Sequence, residues 1–176
     1  MIDKRIAAFL DEVAAQTSAP GGGAVAAVAV AMAAALAAMV ARFSEKQLGE
    51  DAARLARRAD ELRAEVEPLA QADADAYAAY LAARRLPEDD PGREAAIEEA
   101  TTRSADVPLS IAKIASIVLD MAADLGERGN PNLAGDAFAA RALAEAGMRI
   151  AANLVVLNLD DPTNVWVEEA QILLAR

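Results

Sequence analysis

Three short segments hold the residues whose types and spacing suit chemistry: Ser18-Ala-Pro-Gly-Gly-Gly23, Asp73-Ala-Asp75-Ala-Tyr77, and Gly129-Asn130-Pro-Asn132-Leu-Ala-Gly135-Asp136. The chain contains no His and no Cys. Those absences exclude Ser-His-Asp and Cys-His nucleophilic systems, Cys nucleophiles and zinc-thiolate sites. Proton transfer is left to Asp, Glu, Lys and Tyr.

The glycine triplet opens an apolar helix, where bare backbone N–H groups at the positive helix end can meet a ligand. Equally, it is a tight turn against which another helix packs, and it matches neither phosphate-loop nor dinucleotide fingerprints. Asp73 falls in helical phase with Leu62, Val66 and Leu69, whereas Asp75 points about 200° away. A carboxylate on an apolar stripe must be paired, hydrogen-bonded or protonated. It is either an acid/base group one turn from the Tyr77 hydroxyl or a buried polar tie between helices. Gly129 or Asn130 ends one helix and Asn132 caps the next. Asp136 begins a stripe through Leu143, Gly147, Ile150, Leu154 and Leu157, predicting a second inward carboxylate near a helix N-terminus that favours its ionised form. Asn153 and Asn158 read as interhelical hydrogen-bonders rather than ligands.

The elements that position these groups are all helical. Of the 176 residues, 48 are Ala and only 3% are aromatic, a composition that favours close-packed helices over sheets. The pattern predicts one all-α domain over residues 1–176, a bundle of about six helices around a buried Ala-rich central helix. A first helix is expected from Asp3 to Gln16 with Ile6, Phe9, Leu10 and Val13 as its apolar stripe. The second carries Val25, Val28, Met32, Leu36, Met39 and Phe43 at helical spacing, with alanine elsewhere, so it reads as buried on all sides. A charged helix runs from Gly49 to Leu86 with a bend at Pro68, and a long one from Arg93 to Leu125 with a kink at Pro108. Helices from Leu133 to Leu159 and from Asn164 to Leu174 complete the set.

The charge balance of 17 − 28 = −11 argues against nucleic acid, which needs a basic patch. Ala24 to Ala41 holds no polar side chain, which is near the lower limit for a membrane span. Its alanine content favours a core helix instead, and no membrane is expected. Nothing at the N-terminus reads as a signal peptide, so the expected location is cytoplasmic.

Taken in order, Ser18-Ala-Pro-Gly-Gly-Gly-Ala-Val-Ala-Ala27, Met39-Val40, Asp73-Ala-Asp-Ala-Tyr77, Arg85-Leu-Pro87, Gly129-Asn130-x-Asn132 with Asp136, Asn153 and Asn158-Leu159 resemble one family. It is the formiminotetrahydrofolate cyclodeaminase / methenyltetrahydrofolate cyclohydrolase family, and the resemblance covers nearly the whole chain. The resemblance implies an all-α homodimer with a folate site near the dimer interface, lined by the glycine turn and the Gly-Asn-x-Asn loop. It further implies either hydrolysis of 5,10-methenyltetrahydrofolate to 10-formyltetrahydrofolate or ammonia-releasing cyclisation of formiminotetrahydrofolate. No fused transferase domain is present to make formimino-folate, which favours the hydrolysis. Both reactions occur at an amidine-like carbon, and neither needs a metal, a redox cofactor or a covalent nucleophile. No cofactor beyond the folate substrate is therefore expected.

On this reading Asp73 and Asp136 transfer protons and orient substrate. Ser18, Gly21, Gly22, Gly23, Tyr77, Asn130 and Asn132 bind the pterin, and Lys46 meets the glutamate tail. Three departures stand out. Ala24 and Gly135 replace residues that are usually Ser in the family. The Phe43-Ser44-Glu45-Lys46-Gln47 run replaces a segment richer in Lys. These changes keep a degenerate alternative open, a ligand-binding member or helical oligomer without catalysis.

Overall fold

A computed structural model describes residues 5–176, and its helices account for the bundle. They are α1 (Ile6–Ala14), α2 (Gly22–Arg42), α3 (Glu45–Leu48), α4 (Glu50–Val66), α5 (Leu69–Arg84), α6 (Arg93–Arg128), α7 (Ala134–Leu159) and α8 (Val165–Leu174), with a 3₁₀ turn at Pro131–Leu133. No strand occurs among the described residues. The expected start of the first helix at Asp3 lies outside them.

Pro68 ends α4 rather than bending it, and stands as the N-cap of α5. A proline N–H is missing where the first turn would leave it unpaired anyway, so a clean restart at Leu69 is the low-cost outcome. Pro108, by contrast, is carried inside the continuous 36-residue α6. The short α3 was not anticipated. Asn164 caps α8 by accepting from the Trp166 N–H at 2.9 Å.

The central helix corrects the expectation in an informative way. The expected apolar stripe of α2 is not its buried face, although Val28 and Met39 pack against the edge of the core. Ala24, Ala27, Ala34, Ala38 and Ala41 are buried together with Val30 and Val40. On the opposite side, Met32 is 46% and Phe43 66% exposed, while Val25, Val28, Leu36 and Met39 are half-buried. Small side chains let neighbouring backbones close in, so the alanine face packs against α4, α6 and α7 and the bulky stripe is left outside. Helix α1 buries only part of its expected stripe: Phe9 is buried, but Ile6 and Leu10 are exposed.

Helices α2 and α7 run antiparallel. A Cβ on Gly22 would touch Ile150 and Leu154 at 3.8 and 3.9 Å, while Gly147 lies against Val30 and Ala26. Both α2 and the Pro131–Leu159 segment are long and apolar enough to cross a membrane by length and composition, and two-thirds of the α2 window is buried inside the bundle.

Candidate active site

At one end of the bundle, the turn before α2, the middle of α5, the first third of α6 and the last turns of α7 enclose a cleft of about 200 Å³. Ser18, Gly21, Gly22, Gly23, Asp73 and Tyr77 line it, as the sequence reading grouped them, together with Ser104, Leu154 and Asn158. The Ala19–Pro20 peptide in the entering turn is cis.

Asp73 is half-buried against the start of α2. Burial pushes its carboxyl above the ordinary 3.8, opposed by a hydrogen bond donated from the Ala24 N–H. The three glycines are not equivalent. Gly21 faces open space, and Gly22 would accept a Cβ at ordinary contact distance. A Cβ on Gly23, however, would stand within 2.6 Å of both Asp73 carboxylate oxygens. Gly23 is bare so that the carboxylate can reach the backbone of the helix start. Asp75 points away and accepts from Gln71 Nε2 at 2.9 Å. Tyr77 stacks on Tyr80 with ring centroids 6.4 Å apart.

The remaining expected site residues sit elsewhere. Ser44, fully buried, donates to the Val40 carbonyl at 2.7 Å and accepts from the Asn130 N–H at 2.9 Å. Asn130 Nδ2 donates to the Phe43 carbonyl at 3.1 Å, and its Oδ1 accepts from the Asn132 N–H at 3.1 Å. Both polar atoms of the Asn130 side chain are thus engaged in pinning the loop to the end of α2. In the structure Asn130 is a loop staple, with one Nδ2 hydrogen and one Oδ1 lone pair left over from these two bonds. Gly129 is bare because a Cβ there would meet the Leu125 carbonyl and stand 2.9 Å from Ser44 Oγ. Lys46 is exposed on α3 at this same end, and Asn132 is exposed beside Asn130.

Asp136 stands in the first turn of α7. Its stripe runs along the flank of that helix rather than into the core: Gly147 is buried, Leu143 and Leu154 are half-buried, and Ile150 and Leu157 are exposed. From Gly23 to Phe43, α2 advances about 30 Å at ~1.5 Å per residue, and α7 covers a similar length from Asp136 to Asn158. Within one chain, therefore, Asp73 and Asp136 occupy opposite ends of the bundle.

Sequence reasoning missed Ser104 and Leu154 as cleft residues. It read Asn158 as an interhelical hydrogen-bonder, which it is: Nδ2 donates to the Ser104 carbonyl at 2.6 Å. It also lines the cleft.

An all-α bundle that brings a desolvated carboxylate against a bare helix start defines a small-molecule site equipped for proton transfer. The chain matches the family described as Formiminotransferase-cyclodeaminase over residues 5–169, and it belongs to that family. It is 35% identical over 171 residues to a methenyltetrahydrofolate cyclohydrolase from Methylorubrum extorquens, covering 90% of this chain and 82% of the relative. It is 34% identical to the formimidoyltransferase-cyclodeaminase of Rattus norvegicus, covering 93% of this chain but only 32% of that longer protein. The crystal structure of formiminotetrahydrofolate cyclodeaminase from Thermotoga maritima superposes with a TM-score of 0.85 at 29% identity, over 99% of this chain and 88% of that one.

Proposed function

We propose that this folate one-carbon enzyme hydrolyses 5,10-methenyltetrahydrofolate to 10-formyltetrahydrofolate, with Asp73 as a proton-transfer group. The observation that carries the reading is the partly desolvated Asp73 carboxylate over the glycine start of α2. Support comes from likeness to a methenyltetrahydrofolate cyclohydrolase along 90% of the chain. Water adds to the methenyl carbon and gives up a proton to a carboxylate. The bond from that carbon to N5 then breaks as N5 gains a proton and the new hydroxyl loses its own, leaving the formyl group on N10. Each positioned proton transfer is typically worth 10²–10⁴-fold, and a carboxyl with a raised pKa is a better match to neutral pH than an ordinary one.

The second carboxylate enters by way of a homodimer with its site near the interface. We place the twofold interface along the outer side of α2, where Met32 and Phe43 are exposed and Val25, Val28, Leu36 and Met39 are half-buried. If two copies pair antiparallel along it, the Asp73 cleft of one meets the Lys46, Asn132 and Asp136 end of the other. Parallel pairing leaves the two halves apart.

The test is the decay of 5,10-methenyltetrahydrofolate absorbance near neutral pH, with a no-protein control for spontaneous hydrolysis. Acceleration proportional to protein and lost in Asp73→Asn supports the reading. With no acceleration, the cyclohydrolase assignment fails. Ammonia release from formiminotetrahydrofolate would then identify a cyclodeaminase, and folate binding without turnover would identify a non-catalytic member.

A further inference from the structure

Pro108 and Asn158 belong to different helices, α6 and α7, and meet at one atom, the Ser104 carbonyl oxygen. Inside a helix that carbonyl would accept from the N–H of residue 108. Pro108 has none, and its ring pushes the carbonyl of residue 104 outward. Asn158 Nδ2 takes the vacant acceptor at 2.6 Å. A carbonyl only accepts, so the amide cannot flip without setting Oδ1 against another oxygen. Its orientation is therefore fixed from outside its own helix. Asn158 Oδ1 carries no hydrogen bond among the described residues, and the residue lines the Asp73 cleft.

We propose that Asn158 is a ligand-orienting residue of this cleft, its Oδ1 accepting from an N–H on the bound heterocycle, and that Pro108 positions it by freeing the Ser104 carbonyl. This rests on the folate reading, which supplies the ligand class: the 2-amino-4-oxopyrimidine edge of a reduced pterin carries such N–H groups. Asp73, another side-chain acceptor of the cleft, is committed to proton transfer on that reading. A pre-oriented neutral acceptor separates recognition of the ring from the chemistry. Asn158 is exposed in the free chain, so it discriminates when a bound ring covers it without donating and leaves the acceptor unmet.

The experiment measures binding of 5-formyltetrahydrofolate, and of its analogue with 2-methyl in place of the 2-amino group, to the full chain. Wild type, Asn158→Leu, Pro108→Ala and the double variant are compared, each with a melting temperature. Asn158→Leu leaves the Ser104 carbonyl unpaired, whereas Pro108→Ala gives it back a helical N–H. The double variant therefore recovers the stability lost in Asn158→Leu. If Asn158 orients the ligand, both Asn158→Leu and the double variant bind the 2-amino compound about tenfold more weakly and lose preference over the analogue. Pro108→Ala alone shows a smaller loss of the same preference. Affinity that returns with stability in the double variant, or that is unchanged in Asn158→Leu, overturns the proposal and shows a purely structural tie. Failure of wild type to bind 5-formyltetrahydrofolate would instead remove the folate reading, and this proposal with it.

Discussion

Gly23 and Asp73 occupy mutually exclusive space: the carboxylate lies where a side chain on residue 23 would begin. The glycine at the start of α2 is thus explained by the acid opposite it. Gly23→Ala is expected to displace Asp73 from the Ala24 N–H, reducing turnover with a stability cost of about 1–3 kcal/mol for overpacking. Turnover and chemical denaturation of the variant and of wild type check it. Equal turnover would mean that the Asp73 position is immaterial.

Asp73→Asn separates activity from stability. A carboxyl whose folded pKa is raised contributes stability that is fully present below its unfolded value and lost as pH rises through the folded value. Above its folded pKa the ionised Asp73 therefore opposes folding. The Asn variant should melt no lower than wild type at about pH 7, keep no such advantage below about pH 4, and turn over about 10²–10⁴-fold more slowly. Melting curves at both pH values, alongside initial rates, decide it. A lower melting point at pH 7 would contradict the desolvation account.

A composite site makes an arithmetical prediction. Asp73→Asn and Asp136→Asn are each expected to turn over about 10²–10⁴-fold more slowly alone. Random reassociation of equal amounts should restore about a quarter of wild-type activity, because half the dimers are mixed and each mixed dimer keeps one intact pair. No recovery after verified subunit exchange would place Asp136 outside the site.

Met32 sits near the middle of the exposed α2 stripe. Met32→Asp should yield a folded monomer by sedimentation, with helical content unchanged and activity lost. A variant that stays dimeric would move the interface elsewhere.

Ser44→Ala should destabilise by about 1–3 kcal/mol, since the Asn130 N–H would lose its acceptor. Denaturation with an unchanged slope measures it. The glycine-turn cleft is remote from this change, so ligand contacts made there should persist.

Much of this was legible in the chain. Proline and glycine punctuation placed most helices, because a missing N–H or a bare backbone acts locally. The phase of Asp73 was legible only in part: it is half-buried beside the buried Ala70 and Ala74, while Tyr77 one turn on is exposed. The outward face of α2 was not legible. Hydropathy ranks Met and Phe above Ala, whereas close packing here selects the smallest side chain. Nor was the separation of Asp73 from Asp136, which depends on α2 and α7 running antiparallel. The tie from Asn158 to Ser104 left one usable trace, the Pro108 four residues beyond the carbonyl it frees.

The alanine face of α2 inverts the usual vulnerability of a protein interior. In most cores the damaging change removes volume, and the loss scales with the hole left behind. Ala34 or Ala38 has almost nothing to remove, but one added methylene must push a neighbouring helix aside. Inherited variation at these positions should therefore be confined to Gly, Ala and Ser, while the bulky residues on the opposite side drift more freely in size. The spacing between α2 and its neighbours acts as a gauge block for the cleft: enlarging one alanine far from Asp73 would open the site by moving the helix that carries its floor.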